Sequence, residues 1–238
     1  MTKICIIGNS HVGALKMAWD NTCRHYPTLD ITFFAQRGYG LKDLRVEHKS
    51  LLPTSESLAS ALQFTSGGKT EIDTQLYDVF LIYGLFLTPY FPDDKHFYSQ
   101  AVLQHALYDH VEGSLSFRLL KQLRSITDKA IFAGHDPLLI PTGELSNDSN
   151  PVAYLDAIGT LNRLFYQPLF AEVIAQPLDT IVYGRHTHAD FSKNSLRLAV
   201  GRKSDLEAQP DHNKGHMNGE FGELWLRQFF GKIAYRSH

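Results

Sequence analysis

Short apolar runs recur along the chain, and the stretches between them carry apolar residues at helical spacing. Lys3-Ile4-Cys5-Ile6-Ile7 opens the series and predicts a strand over 4–7. Val12, Leu15, Ala18, Trp19 and Cys23 then fall on one side of a helix over 11–24, which Pro27 ends. A second strand, rich in Ile, Thr and Phe, spans 29–35 and runs into the turn Arg37-Gly38-Tyr39-Gly40. Asp78-Val79-Phe80-Leu81-Ile82-Tyr83-Gly84 reads as a buried strand. Residues 97–126 read as two helices around Glu112-Gly113, and 129–133 as a fourth strand ending at Gly134-His135-Asp136-Pro137. A loop over 141–150 precedes a long helical stretch from Pro151 to about residue 175, bent at Pro168. A fifth strand is expected at Thr180-Ile181-Val182-Tyr183 and a last helix over 219–230.

Strands alternating with helices predict an α/β fold, in which a parallel sheet is covered on both faces. About five strands suit a flavodoxin-like doubly wound order, whose ligands bind outside the carboxyl ends of the strands. Ser10, Gly40, Gly84 and His135 all follow strand ends, so they are expected on one rim. The pattern weakens over 42–75, where Ser66-Gly67-Gly68-Lys69 suggests a hairpin turn. That stretch reads as an insertion in a single domain covering residues 1–238.

Composition narrows the function classes. Hydrophobic residues make up 43% of the chain, enough for a sizeable core, and the formal net charge of −2 offers no basic excess to displace phosphate counterions. A nucleic-acid partner is therefore not expected, although the balance leaves a local basic patch open. No apolar run is long enough to span a bilayer. The chain enters a strand without a charged leader, and a cytoplasmic location is expected. Cys5 and Cys23, the two cysteines, fit small hydrophobes better than a disulfide or thiolate metal site.

Candidate chemistry lies at the two ends. Ser10 follows the first apolar run in Gly8-Asn9-Ser10-His11, where a strand-to-helix turn would expose its hydroxyl and the helix N-terminus would favour an anion. His216 stands in Asp211-His212-Asn213-Lys214-Gly215-His216-Met217-Asn218, before the last helix. A hydroxyl becomes a nucleophile when a base takes its proton. The pairing points to ester chemistry, while helix capping by Ser10 and a solvated His216 are the plainer roles. His212 could replace His216. His186, His188 and Asp190 would share one face of an extended segment, a weak metal signal outweighed by a polar loop; no metal is expected. The first turn lacks the Lys-Ser/Thr of a P-loop, the dinucleotide fingerprint and the Gly-x-Ser-x-Gly elbow, and no cofactor is expected.

These blocks, in this order, resemble the SGNH/GDSL hydrolase superfamily. The resemblance covers the first strand-turn-helix, the sheet rhythm and the C-terminal block. Gly8-Asn9-Ser10-His11 is similar to its Gly-Asp-Ser motif, with Asn9 in place of the Asp. It implies Ser10 as nucleophile, His216 as general base and Asp211 as the acid that orients the ring, with Asn213 at the position the family usually gives to that Asp. Gly40, or else Gly38, would donate a backbone amide to the oxyanion along with Ser10. Asn9, His11 and Gly84 would complete the site. The family's Gly-x-Asn-Asp block corresponds to Gly84-Leu85-Phe86-Leu87, so Phe86 stands where the family has an oxyanion-binding Asn. Losing one such donor typically costs ~3 kcal/mol of transition-state stabilisation. His216-Met217-Asn218-Gly219-Glu220-Phe221 resembles carbohydrate-related members, implying removal of an O-acyl group, O-acetyl among them, from a carbohydrate ester through an acyl-serine. Acyl transfer to a sugar hydroxyl, or a non-catalytic binding or assembly role on the same fold, stays open, as does the oligomeric state.

Overall fold

The first apolar run forms β1 (Thr2–Gly8), and the chain passes through a short turn into α1 (Val12–Thr22). The computed structural model describes residues 1–92, 96–142, 150–202, 205, 207–209 and 215–236. β2 (Leu29–Ala35) returns beside β1 in parallel, pairing Ile4 with Ile31 and Ile6 with Phe33. The insertion follows as an antiparallel unit: β3 (Leu44–Glu47), β4 (Ser50–Pro53), helix α2 (Glu56–Thr65) and β5 (Ile72–Asp73). β6 (Val79–Tyr83) re-enters the main sheet against the other side of β1. α3 (Gln100–Glu112) and α4 (Leu115–Arg124) lead to β7 (Ala130–Gly134), and α5 (Val152–Leu161) leads to β8 (Ala171–Ile174). A small hairpin, β9 (Ile181–Val182) with β10 (His186–Thr187), precedes α6 (Gly219–Arg236).

The main sheet is five-stranded, in the order β2-β1-β6-β7-β8. All of its pairings are parallel, which is the doubly wound α/β order expected from the sequence. Its faces follow the period of two along each strand. Cys5, Ile7, Phe34, Phe80, Ile82, Ile131 and Ala133 face α4, α5 and the insertion. Ile4, Ile6, Phe33, Leu81 and Phe132 face α1 and α6. Burying each such side chain stabilises the fold by roughly 1.5–3 kcal/mol.

Three expectations need correction. The fifth sheet strand is β8, not the segment at 180–183; Ile181 and Val182 pair instead with β10. The helical stretch ends early because Pro168 is followed by Phe170 in the left-handed region, at φ +52°, which turns the chain straight into β8. The insertion's hairpin turns between β3 and β4, with His48 at φ +54°, and Ser66-Gly67-Gly68-Lys69 instead closes α2. His48 gives no Gly or Pro signal, which is why the sequence pattern hides this turn.

α6 packs directly on α1. Its Gly222 lets the backbones meet: an added Cβ would lie 2.0 Å from the Ala14 carbonyl oxygen. Phe221, Trp225 and Phe229 are buried on the same side. Chain regions more than two hundred positions apart are thereby brought together.

Candidate active site

Ser10 sits in the tight turn that leaves β1. Val12 N–H donates to the Asn9 carbonyl (3.1 Å), Gly13 N–H to the Ser10 carbonyl (3.1 Å), and His11 N–H to Asn9 Oδ1 (3.2 Å). Asn9 is buried and also hydrogen-bonds the Asp136 carboxyl through its side chain. It is thus a brace for the turn. The residue capping α1 is His11, and the Ser10 hydroxyl is aimed elsewhere.

That hydroxyl meets His216. Ser10 Oγ and His216 Nε2 are 2.9 Å apart. The residues that follow His216 hold it in place. Met217 is buried. Asn218 caps α6, accepting from Phe221 N–H at 3.1 Å, and its amide donates to the carbonyls of Asp190 and Lys193, each at 3.1 Å. Asp211 and Asn213, the two candidates for orienting the ring, lie outside the described residues, as does His212.

The electrostatics favour a neutral base. His216 is pushed down from 6.5 to about 4, first by burial and then by the nearby His11 and Arg197. The His11 ring stacks on His216, and His11 is itself lowered to about 4 by burial, with the Gly215 backbone acting in the opposite direction. On its other side, His11 Nε2 lies 3.6 Å from Asp136 Oδ1. Burial raises Asp136 to about 6, against hydrogen bonds from Phe86 N–H (3.3 Å) and the Asn9 side chain. Asp136 is a site residue that no motif marks; its place just past β7, on the rim where ligands bind, is the signal that could have found it.

The glycines take different places. Gly84, at φ +75°, has no room for a side chain, since a Cβ would lie 2.5 Å from Asn9 Oδ1 and 2.9 Å from Asp136 Oδ1. Its N–H donates to the Gly134 carbonyl at 2.8 Å, so that amide is engaged and Gly84 serves as a spacer. Leu85 and Phe86 follow at φ +59° and +63°, a left-handed run that is costly for residues with a Cβ. Contacts at both ends hold it: Asp136 accepts from Phe86 N–H, and Asp136 N–H donates to the Leu87 carbonyl at 2.8 Å. The Phe86 ring stacks on Tyr39, centroids 3.8 Å apart, and so touches the loop of Gly38 and Gly40. Gly40 N–H makes only a long bond, 3.5 Å, to the Arg37 carbonyl. Gly38, at φ +61°, has open space around its Cα.

His135 is buried away from this chemistry. Its ring bridges the Asp136 carbonyl and the Tyr154 hydroxyl (2.8 Å), and burial lowers it to about 4. His186 lies in β10, with Nδ1 3.3 Å from the Leu139 carbonyl. The extended segment stops at Thr187, so His188 and Asp190 do not continue its face, and Asp190 pairs with Lys193 at 2.6 Å. Among the described residues no group of three or more His, Cys, Asp or Glu is arranged to hold a metal ion. Among the described residues no helix is long and apolar enough to cross a membrane.

A cleft of about 520 Å3 opens beside the pair. His11 and Gly215, the chain neighbours of Ser10 and His216, line it together with Asp136. Pro89, Phe91 and Leu138 form apolar walls, and Arg185 and His186 complete the lining.

Solved structures similar to 98% of this chain include the periplasmic domain of a lipopolysaccharide acetyltransferase from Salmonella ser. Paratyphi A, at 13% identity, a TM-score of 0.43 and 83% coverage of that chain. A carbohydrate esterase whose active site displays divergent catalytic and non-catalytic binding functions is similar over 98% of this chain and 65% of its own, at 14% identity and a TM-score of 0.39. No protein-family model matches the chain, and no curated protein matches it in sequence.

Proposed function

We propose that the protein is a serine esterase that removes a small O-acyl group, acetyl in the simplest case, from a carbohydrate ester. The observation that carries this reading is the 2.9 Å contact between Ser10 Oγ and the neutral His216 Nε2. Ser10 Oγ attacks the acyl carbonyl while its proton passes to His216 Nε2. The carbonyl oxygen becomes an oxyanion, met by the backbone amides of Ser10 and Gly40. The bond to the leaving oxygen then breaks, and His216 gives that oxygen the proton, leaving acyl-Ser10. Water attacks the acyl carbon, His216 takes a water proton, and the acid departs as Ser10 regains its hydrogen. A sugar hydroxyl in place of the water would give acyl transfer with the same groups.

The test is covalent labelling by a fluorophosphonate probe at neutral pH, together with acetate release from O-acetylated sugars. Native protein should label, and Ser10→Ala should not. His216→Asn should slow labelling by about 1,000-fold or more, as expected when the base of such a unit is removed. Native protein that neither labels nor releases acetate would leave the fold as a binding module, and Phe86 in the place of an oxyanion donor is the feature favouring that outcome.

A further inference from the structure

Arg185 stands apart from the other cations at the rim. Among the described residues no carboxylate pairs with its guanidinium, whereas Arg37 pairs with Asp205 at 2.8 Å. Its guanidinium lies over the face of Phe91, guanidinium carbon to ring centroid 5.8 Å, and both residues line the cleft beside the Ser10–His216 pair.

The backbone that carries Arg185 is held firmly. Tyr183 and Gly184 both take the left-handed conformation, at φ +49° and +67°, and Arg185 N–H closes the turn on the Tyr183 carbonyl at 2.8 Å. The following strand is tied down by buried polar groups. Thr187 Oγ1 donates to the Leu138 carbonyl (2.5 Å) and accepts from Gln176 Nε2 (3.0 Å), while Gln176 Oε1 accepts from Leu138 N–H (3.0 Å). Thr187 N–H donates to the Leu139 carbonyl at 3.2 Å. The hairpin and the wall formed by Leu138 and Leu139 are therefore one piece, and the cation is presented without a large ordering cost.

The cleft carries groups of both signs. Its acidic group, Asp136, lies beside His11 and is hydrogen-bonded to Phe86 N–H and Asn9. Arg185 and His186 supply the basic groups, with Pro89, Phe91 and Leu138 as apolar walls. A ligand in this cleft would meet a carboxyl already engaged by hydrogen bonds, apolar surface, and a guanidinium that no described carboxylate neutralises. A guanidinium fork matches the paired oxygens of a carboxylate or phosphate.

We infer that the cleft holds the non-acyl part of the ester, and that this part is a sugar carrying an oxyanion, a carboxylate or a phosphate, which Arg185 binds. The ligand's role as the non-acyl part rests on the esterase reading, but its binding can be measured without turnover. The probes are methyl glucoside, its uronate and its primary phosphate ester, titrated into the native protein and followed by heteronuclear NMR shifts. At least one anionic probe should bind about ten-fold or more tightly than the neutral one, with the preference shrinking as salt is raised. Arg185→Gln should bring that ratio close to unity, and Arg185→Lys, which keeps the charge but not the fork, should retain part of it. The uronate and phosphate arms tell the two anions apart. Equal binding of all three probes, or a preference that survives Arg185→Gln, would overturn the inference. Loss of labelling at Ser10 would instead overturn the esterase reading and leave the binding ratio standing.

Discussion

The imidazole of His11 lies against that of His216, centroids 4.7 Å apart and planes inclined by 29°. Burial disfavours a positive charge on both rings, and the His11 ring adds to that effect on His216. With His216 held near 4, the base is already neutral at mildly acid pH. The acid limb of kcat/KM for an acyl ester should therefore fall near pH 4, well below the ordinary histidine value of 6.5. His11→Asn removes one of the groups that lower His216, so its acid limb should move to higher pH. A native limb at the ordinary histidine value would count against this account.

Gly84→Ala should be costly. The new Cβ would meet Asn9 Oδ1 and Asp136 Oδ1 at a left-handed position. Strain at the backbone and the displaced hydrogen bonds together should remove about 2–4 kcal/mol from the urea unfolding free energy. Fluorophosphonate labelling should slow as well, because Asn9 braces the Ser10 turn.

Gly222→Ala tests how the pair is aligned. Its Cβ cannot stand 2.0 Å from the Ala14 carbonyl oxygen, so α6 must shift away from α1 and take His216 with it. Labelling per folded molecule should fall about ten-fold or more, since a 1 Å misplacement can cost a hundred-fold. Unchanged labelling in a folded variant would show that the segment before α6, rather than the helix contact, sets the imidazole.

Phe86→Asn puts an amide donor at the position where the superfamily resemblance expects one. Asn tolerates the left-handed backbone better than Phe, so this step carries little strain of its own. The ring stack on Tyr39 is lost. If the amide reaches the oxyanion, kcat should rise by up to about a hundred-fold. The check is the steady-state rate of acetate release, with a Phe86→Leu control that removes the ring and adds no donor.

Stability should rise with pH across the mildly acid range. His11, His135 and His216 are held near 4 in the folded protein against 6.5 when unfolded. Between those values they are neutral when folded and protonated when unfolded, so unfolding takes up protons and stability falls as pH falls. Asp136 opposes this: it is protonated below about 6 in the fold and ionised above 3.8 when unfolded, so its share of stability falls as pH rises. Three groups outweigh one. Urea midpoints should therefore increase from pH 4 to 6.5, and Asp136→Asn should steepen the rise.

Much of the sheet was legible because its strands are short apolar runs bounded by Gly or polar turns. β2 falls on the expected residues, and β1, β6 and β7 differ by a residue or two at their ends. β8 was hidden because only four residues, Ala171–Ile174, follow Pro168 and Phe170 without a turn signal, so they read as the tail of a helix. The pair Ser10 and His216 could be named from local motifs, since each sits beside residues that fix a turn or a cap. Asp136, Arg185 and the spacer place of Gly84 depend on which loops meet at the rim, and that is a property of the fold rather than of any short stretch.

The hydroxyl of Ser10 and the ring it bonds are 206 positions apart, joined by the docking of α6 on α1. The main sheet and its first turn are enough to present the serine, but the imidazole is delivered to it only by that docking. Under the esterase reading, a chain cut short before α6 should therefore stay unlabelled at Ser10 even where the sheet has formed.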